Sequence, residues 1–560
     1  MKAVILGGYG VFGERLARLL LRDGHEVIVA GRTANKAEAL AQELGASALV
    51  VDRTGPLDAL WAEKPDVLID AAGAFHAYGD DPYGLPKQCI AHGLHYLDLA
   101  DDPAFCAGIA ELDKSAKDAG VFVLSGVSSV PAISSAAVAA LAQDMREIDT
   151  ISTAILPGNR APRGRSVVAS ILHQCGRPFD VQIDGVACPH RSWSEPERFD
   201  LGGGLIRQGW MIEVPDHRLF APYFKARSVF FRAGLELGVM NYGLGVLSSL
   251  RRYSGFGIAP WFVGLMVRMA QLLWPFGSDR GGMYVSVTGR GATGWERKEW
   301  CLVAEAGDGP FIPAVAARAI LRQPEAINTG ARPALATLPL ARIEAAMADL
   351  QVTTRMVDHP MTPLFPRQLK DQFAQLPPSV QQAHAVYGPR RWSGKARVSR
   401  GASLWARMLA RLFGFPPADE NVPVTVAMIP QRDGELWERQ FGGRLFRSFL
   451  REKDGKMTER FGPFTFRLGL HVSGGQLHFP VEAGRLGPLP IPRFCLPQSV
   501  ACEYEQDGRF HFDVALKAPI TCGLIVHYQG WLERAATATQ DKMSSDSPSL
   551  SISDRNEEAV

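Results

Sequence analysis

The feature that most constrains this chain is Gly8-Tyr9-Gly10-Val11-Phe12-Gly13, set directly after the apolar run KAVIL and opening an amphipathic stretch. A GxGxxG between a strand pattern and a helix pattern calls for a βα turn whose backbone meets an anion. Gly8 is expected to permit the tight turn, Gly10 to let backbone approach a pyrophosphate, and Gly13 to let the helix pack on the strand. Tyr9, Val11 and Phe12 complete the loop, and the helix N-terminus attracts the anion. Further apolar runs, EVIVAGR, SALVVD, DVLIDAAG, HYLDLA and VFVLSG, alternate with helical stretches beginning near Val11 and Asn35. Residues 1–150 are therefore expected to form an α/β Rossmann domain with a parallel sheet, holding a dinucleotide.

The second strand selects the dinucleotide. An NAD-binding chain ends this strand in an acid that holds the ribose 2′-hydroxyl. Here the chain reads Ala30-Gly31-Arg32-Thr33. Arg32 suits a charge-assisted contact to a 2′-phosphate and Thr33 a hydroxyl hydrogen bond, so the expected cofactor is NADP. Asp52 and Arg53 end the third strand, where they would border the adenine. Ala72 and Gly73 follow the fourth and would let backbone run beside the cofactor. Hydride chemistry also needs a proton donor near the nicotinamide, and Asp98, His76 and Tyr78 follow the strands nearest that point. They are the catalytic candidates; Tyr96 and Asp101 lie in the same segments.

At 560 residues the chain is long for one domain, and its pattern changes twice. From 151 to 352 the elements are longer, with strands at TISTAIL, MYVSVTGRG and EWCLVAEA and a helix at about 312–322, which reads as an α+β substrate domain. From 355 to 533 short alternating segments with turn signals at 473–475 and 506–508 predict a mainly antiparallel β domain. An amphipathic helix is expected at about 402–414. The tail, 535–560, is rich in Ser, Asp and Glu and is expected to be disordered.

Sixty basic and 58 acidic residues leave a net charge of +2, so no global field draws nucleic acid. Eight cysteines without a CxxC pair or zinc framework read as reduced thiols, and no metal site is expected. MKAVILGG leaves no room for a signal peptide, which points to the cytoplasm.

Taken in order, GGYGVFG, AGRT, VLIDAAGAFHAYG, CIAHGLHYLDLADD and GSDRGGMYVSVTGRG resemble the saccharopine dehydrogenase-like family of NADP-dependent oxidoreductases over residues 1–350. The resemblance implies a Rossmann domain followed by a mixed domain that closes over the nicotinamide. The family includes imine reduction on amino acids and polyamines and also lipid-directed members. Where many members have AGPF this chain has Ala72-Gly73-Ala74-Phe75. LPPSVQQAH, WSGKARVSRG, LWERQFGG, ERFGPF and CLPQSVACEYEQDGRFHFDV resemble an uncharacterised C-terminal domain fused to such oxidoreductases. Trp437, Arg439 and His384 stand out in it.

Between Arg207 and Arg280 basic residues exceed acidic ones amid long apolar stretches. Lys225, Ser228, Arg232 and Glu236 would share one helical stripe, and APWFVGLMVRMAQLLWPF would form a helix with a wide apolar face. Neither spans a membrane. Packing in the substrate domain is one reading; peripheral contact through 224–276 with the inner membrane face is the other. The expectation is an NADP-dependent oxidoreductase acting on an apolar or lipid-like carbonyl or enoyl substrate. The alternatives are an amino-acid or polyamine imine reductase and a non-catalytic NADP-sensing or membrane-associated binding protein. Nucleic acid is not an expected partner, and a homo-oligomer is left open.

Overall fold

A computed structural model of the chain describes residues 1–162, 164–254 and 257–534. The expected disordered tail lies outside the described residues. The chain divides into two compact units, Met1–Gln182 with Ala187–Met361, and Ile183–Val186 with Thr362 onward.

The first unit is built on two seven-stranded sheets. One contains β1 (Lys2–Leu6), β2 (Glu26–Gly31), β3 (Ser47–Val50), β4 (Val67–Asp70), β5 (His95–Asp98) and β6 (Phe122–Ser125) in the spatial order 3-2-1-4-5-6 reversed from β6. Every pairing is parallel. Residues Ala3–Leu6, Val27–Ala30 and Val67–Asp70 are buried, as strands covered on both faces must be. α1 (Val11–Arg22) covers one face with Leu16, Ala17, Leu19 and Leu20, and α2 (Ala34–Leu44) follows β2. The expected Rossmann architecture is thus present. Its seventh strand, Gly330–Pro333, comes from far downstream and pairs parallel with β6.

The second sheet is mixed. Glu147–Leu156 runs parallel to Ser228–Ala233 on one side and antiparallel to Gly281–Arg290 on the other, and Trp295–Ala304 and Val352–Pro360 extend it. One expectation is corrected here. Residues 228–233, placed on a helical stripe with Lys225 and Glu236, form a strand with Ser228, Val229, Phe231 and Arg232 buried. Aromatic and β-branched residues in SVFFRA suit a pleated position, and pairing with the central strand overrides the helical spacing. The helix expected at about 312–322 is Ile312–Arg322. It docks on α1 where Arg318, 2% exposed, donates to both carboxylate oxygens of Asp23 at 2.8 Å. That bidentate pair, shared with Arg322, holds the Asp23 carboxyl well below its usual range.

The second unit carries one antiparallel sheet of thirteen strands. The hairpins expected at 473–475 and 506–508 join His471–Ser473 to Gln476–His478 and Gln498–Gln506 to Arg509–Lys517. The amphipathic helix is Leu404–Leu412, and its inward Ala406 and Ala410 allow close approach to the sheet. Trp392, Trp437, Phe441, Phe510 and Tyr528 fill the core. The strand Val352–Pro360 belongs to the second sheet of the first unit, so the β-rich region begins after it rather than at 355.

Candidate functional site

The βα turn after β1 is shaped by four glycines rather than three. Gly7 has φ +71°, and a Cβ on it would lie 2.8 Å from the Ala71 carbonyl oxygen. The tight turn expected of Gly8 therefore falls on Gly7, which sequence reasoning passed over. Gly8 is instead crowded by the Ile5 carbonyl and Val29, and a Cβ on Gly13 would meet the Gly7 oxygen at 2.3 Å. At Gly10 an added Cβ would meet Gly7 O alone, so its outer side is open. α1 begins at Val11 without a side-chain cap, and Val11 and Phe12 are half-buried in its first turn. First-turn N–H groups of a helix lack intrahelical partners, and here they face the open side of Gly10. This geometry fits a pyrophosphate.

At the end of β2, the Tyr9 ring covers Gly31, where a Cβ would sit 2.3 Å from Tyr9 Cε1. The Tyr9 hydroxyl accepts the Thr33 N–H at 3.2 Å. Arg32 and Thr33 are exposed, and Thr33 leads into α2 without capping it with its side chain. Arg32 and Thr33 are thus exposed together at the end of β2, immediately before α2. Asp52 lies after β3 and accepts the amide and hydroxyl of Thr54, at 3.0 and 2.8 Å, which hold its carboxyl below the usual range.

Arg53 turns from the end of β3 toward the loop after β4. Its guanidinium lies 3.5 Å over the Tyr78 ring, and its buried Nη1 has no partner among the described residues. Tyr78 in turn donates to Asp70 Oδ2 at 2.8 Å, while Asp70 Oδ1 accepts the Ala72 N–H at 2.9 Å. Asp70 is fully buried, and burial raises its carboxyl and, more strongly, the Tyr78 phenol. The Arg53–Tyr78–Asp70 stack therefore fixes the loop after β4, leaving Ala72 and Gly73 half-buried beside the glycine turn.

Asp98 is also fully buried. Its Oδ1 accepts the Ala100 N–H at 3.0 Å, the Ser125 hydroxyl at 3.0 Å and the Gly126 N–H at 2.8 Å. Its Oδ2 has no partner among the described residues. Burial pushes the carboxyl up to about 7 against the pull of these donors. Asp98 ties the ends of β5 and β6 together and does not reach solvent. His76 is exposed and stacks on His173 of the second half of the unit, with ring centroids 5.2 Å apart and planes 10° from parallel.

Opposite the strand ends the second half supplies charge. Burial, and then Asp102, raise the Glu213 carboxyl, with Arg177, Asp180 and Arg218 also in range. Burial lowers His173, assisted by Arg177 and His76. Asp101 keeps part of its surface in solvent, but burial of its carboxyl, and then Asp102, raise it, with His76 opposing. These neighbouring groups carry both signs. Glu213, His173 and Arg177 had no signal in the sequence, because they become neighbours only when the two sheets pack. His384 and Trp437 lie far along the chain in the second unit, where they stack with centroids 5.7 Å apart. Among the described residues no cluster of three His, Cys, Asp or Glu is arranged to hold a metal.

Residues 3–124 match the family model described as the saccharopine dehydrogenase NADP binding domain, and residues 376–532 match a domain of unknown function, DUF4166. No curated protein matches the chain. Among solved structures it is similar to an apo saccharopine dehydrogenase (L-Glu forming) from Saccharomyces cerevisiae, at 14% identity over 64% of this chain and 99% of that one, with a TM-score of 0.48. It is also similar to a homospermidine synthase from Legionella pneumophila in complex with NAD, at 12% identity over 66% and 93% of the chains, with a TM-score of 0.44.

Proposed function

From the premise that residues 3–124 are an NADP-binding domain of the saccharopine dehydrogenase type, we propose that the chain is an NADP-dependent oxidoreductase. Its substrate on this reading is a small polar carbonyl or imine compound bearing an amino group. The observation that carries the substrate class is the charge gathered near His76. Asp101 and Asp102 follow β5 and Glu213 follows the strand Ile206–Met211, with Arg177 in electrostatic range of Glu213. An acyl chain would have to desolvate Asp101 and Glu213 without pairing them, at a cost of several kcal/mol. The apolar residues that suggested a lipid-like substrate include Val239, Val246, Leu265 and Leu272, which are solvent-exposed.

When bound, NADPH supplies the hydride. The pyrophosphate would lie on Gly10 and the first turn of α1, with Tyr9 and Thr33 beside the ribose and Arg32 on the 2′-phosphate. His76, exposed to solvent, is the group placed to deliver a proton as the carbonyl or imine is reduced. Asp98 and Tyr78 are positioning residues, since one is sealed under the β5 and β6 loops and the other already donates to Asp70.

Steady-state oxidation of NADPH by the full chain tests this, with three panels: oxo acids paired with amines, simple carbonyls, and enoyl thioesters. The expected result is fastest turnover with amine-containing pairs. Substitution His76→Gln should lower kcat by about a hundredfold while leaving NADPH affinity within a factor of two. Preference for enoyl thioesters would transfer the assignment to an apolar substrate. Tight NADPH binding with no turnover in any panel would refute an enzyme and leave an NADP-sensing protein.

A further inference from the structure

Independently of the reaction, the outer face of the first unit points to a second kind of partner. The helices Gly238–Ser254 and Pro260–Leu272 are followed by the turn Trp274–Phe276. Along the first helix Val239, Tyr242, Val246 and Leu250 are exposed at steps of three and four residues, which places them on one outward stripe. Trp261, Leu265, Met269 and Leu272 make the same stripe on the second. Trp261 is 71% exposed and Phe276 75%, values that scattered surface apolar residues rarely reach in company. Both helices thus turn an apolar face to solvent, the reverse of a helix that only serves a core.

The charge around this face selects the occupant. No Asp or Glu occurs from Leu237 to Ser278. Arg268 is exposed within the second stripe, and Arg160 lies 5.7 Å over the Trp274 ring while donating to the Pro275 carbonyl. Tryptophan beside arginine at the rim of an apolar surface is the composition of an interface with anionic headgroups. The second unit repeats it on the helix Leu404–Leu412: Leu404, Met408 and Leu412 are exposed beside Arg407 and Arg411, and no acid occurs from Arg400 to Ala418. No helix among the described residues is long and apolar enough to cross a membrane.

We propose that the face formed by Gly238–Ser254, Pro260–Leu272 and Trp274–Phe276 lies on an anionic lipid surface, inserting its apolar side chains to the depth of the headgroups. The test is co-sedimentation of the full-length protein with vesicles of phosphatidylcholine alone or with added phosphatidylglycerol, at low and high salt. The expected result is binding to the anionic vesicles that falls steeply with salt. Arg268→Glu should weaken it roughly five- to thirtyfold, and Trp261→Ser with Leu272→Ser by at least about tenfold, with NADPH affinity unchanged in both as proof of folding. Absence of binding at low salt by the folded protein overturns the proposal, as does equal binding to both vesicle types. Light scattering on the same samples covers the rival occupant: a stable dimer that the Trp261 and Leu272 changes convert to monomer would make this face a self-interface and also overturn the assignment.

Discussion

Replacing Asp98 by Asn isolates one buried charge whose cost follows from its surroundings. The side chain has no solvent exposure, and its Oδ1 already takes three hydrogen bonds from Ala100, Ser125 and Gly126. These donors favour the charged form, yet burial outweighs them and raises the carboxyl from its ordinary 3.8 to about 7. The folded protein therefore holds a proton between pH 4 and 7 that the unfolded chain releases. With more protons bound in the folded state, stability falls as pH rises through that window. A shift of this size corresponds to about 4 kcal/mol lost by pH 8, as an upper bound. Asn keeps the Oδ1 acceptor and cannot ionise, but its NH2 takes the place of Oδ2, which has no partner. At pH 4.5 the neutral native carboxyl carries an equally unpartnered O–H at Oδ2, so the amide adds little cost there. Asp98→Asn should thus be about as stable as the native protein at pH 4.5 and more stable at pH 8. Urea titrations at the two pH values, followed by a signal from the first unit, measure the difference. Parallel stability curves for the two proteins would refute the argument, because they would mean that Asp98 titrates normally. Asp98→Ala is the complementary case: it strips the acceptor from three buried donors and should cost about 3–6 kcal/mol at pH 4.5, where the native carboxyl is neutral, and less at pH 8.

Arg32→Ala should weaken NADPH roughly ten- to a hundredfold while sparing NADH, read by fluorescence titration, since one charge-assisted bond to the 2′-phosphate is worth about 1.5–3 kcal/mol; equal losses would remove the 2′-phosphate from Arg32. Tyr78→Phe leaves Asp70 Oδ2 unpaired at a fully buried site and should destabilise the first unit by about 1–3 kcal/mol, with kcat reduced less than tenfold; a hundredfold fall in kcat at unchanged stability would make Tyr78 the proton donor instead. In the second unit burial lifts the Glu435 carboxyl from 4.5 to about 7, and its Oε1 has no partner. Its contribution to stability is likewise lost as pH rises from about 4.5 through 7, and Glu435→Gln should remove about 3 kcal/mol of that slope, measured by thermal unfolding across pH.

The dinucleotide half was legible because its signals are local. Each strand is a short apolar run buried on both faces, and each glycine of the turn sits within thirteen residues of the N-terminus. Even there the motif assigned the tight turn to Gly8, since spacing alone cannot tell which of two adjacent glycines takes positive φ; the carbonyl of Ala71, sixty-odd positions away, decides for Gly7. Arg53 shows the same limit. Its place at the end of β3 was clear, but its stacking on Tyr78 depends on a loop from the next βα unit. Strand Ser228–Ala233 was misread because SVFFRA, flanked by charged residues, satisfies a helical stripe as well as a pleat. Val352–Pro360 escaped for the opposite reason: it is a largely exposed edge strand with no apolar alternation. Gly330–Pro333 is only four residues long and is held by pairing to β6.

The apolar segment between 224 and 276 shows how composition and placement can point to different partners. Read along the chain, its hydrophobic content argues for an apolar substrate, because a substrate domain is expected to turn such residues toward its ligand. In the fold its residues divide. Phe231 and Leu235 enter the core through the central sheet, whereas Val239, Tyr242, Trp261, Leu265 and Leu272 face outward. The groups in electrostatic range of one another near His76 are Asp101, Asp102, His173, Arg177 and Glu213, all polar. Hydrophobicity in this segment is therefore evidence about what the surface rests on and not about what the site takes in. The two questions separate experimentally as well: a protein with Trp261→Ser and Leu272→Ser should lose vesicles and keep its substrate preference, because those side chains are solvent-exposed.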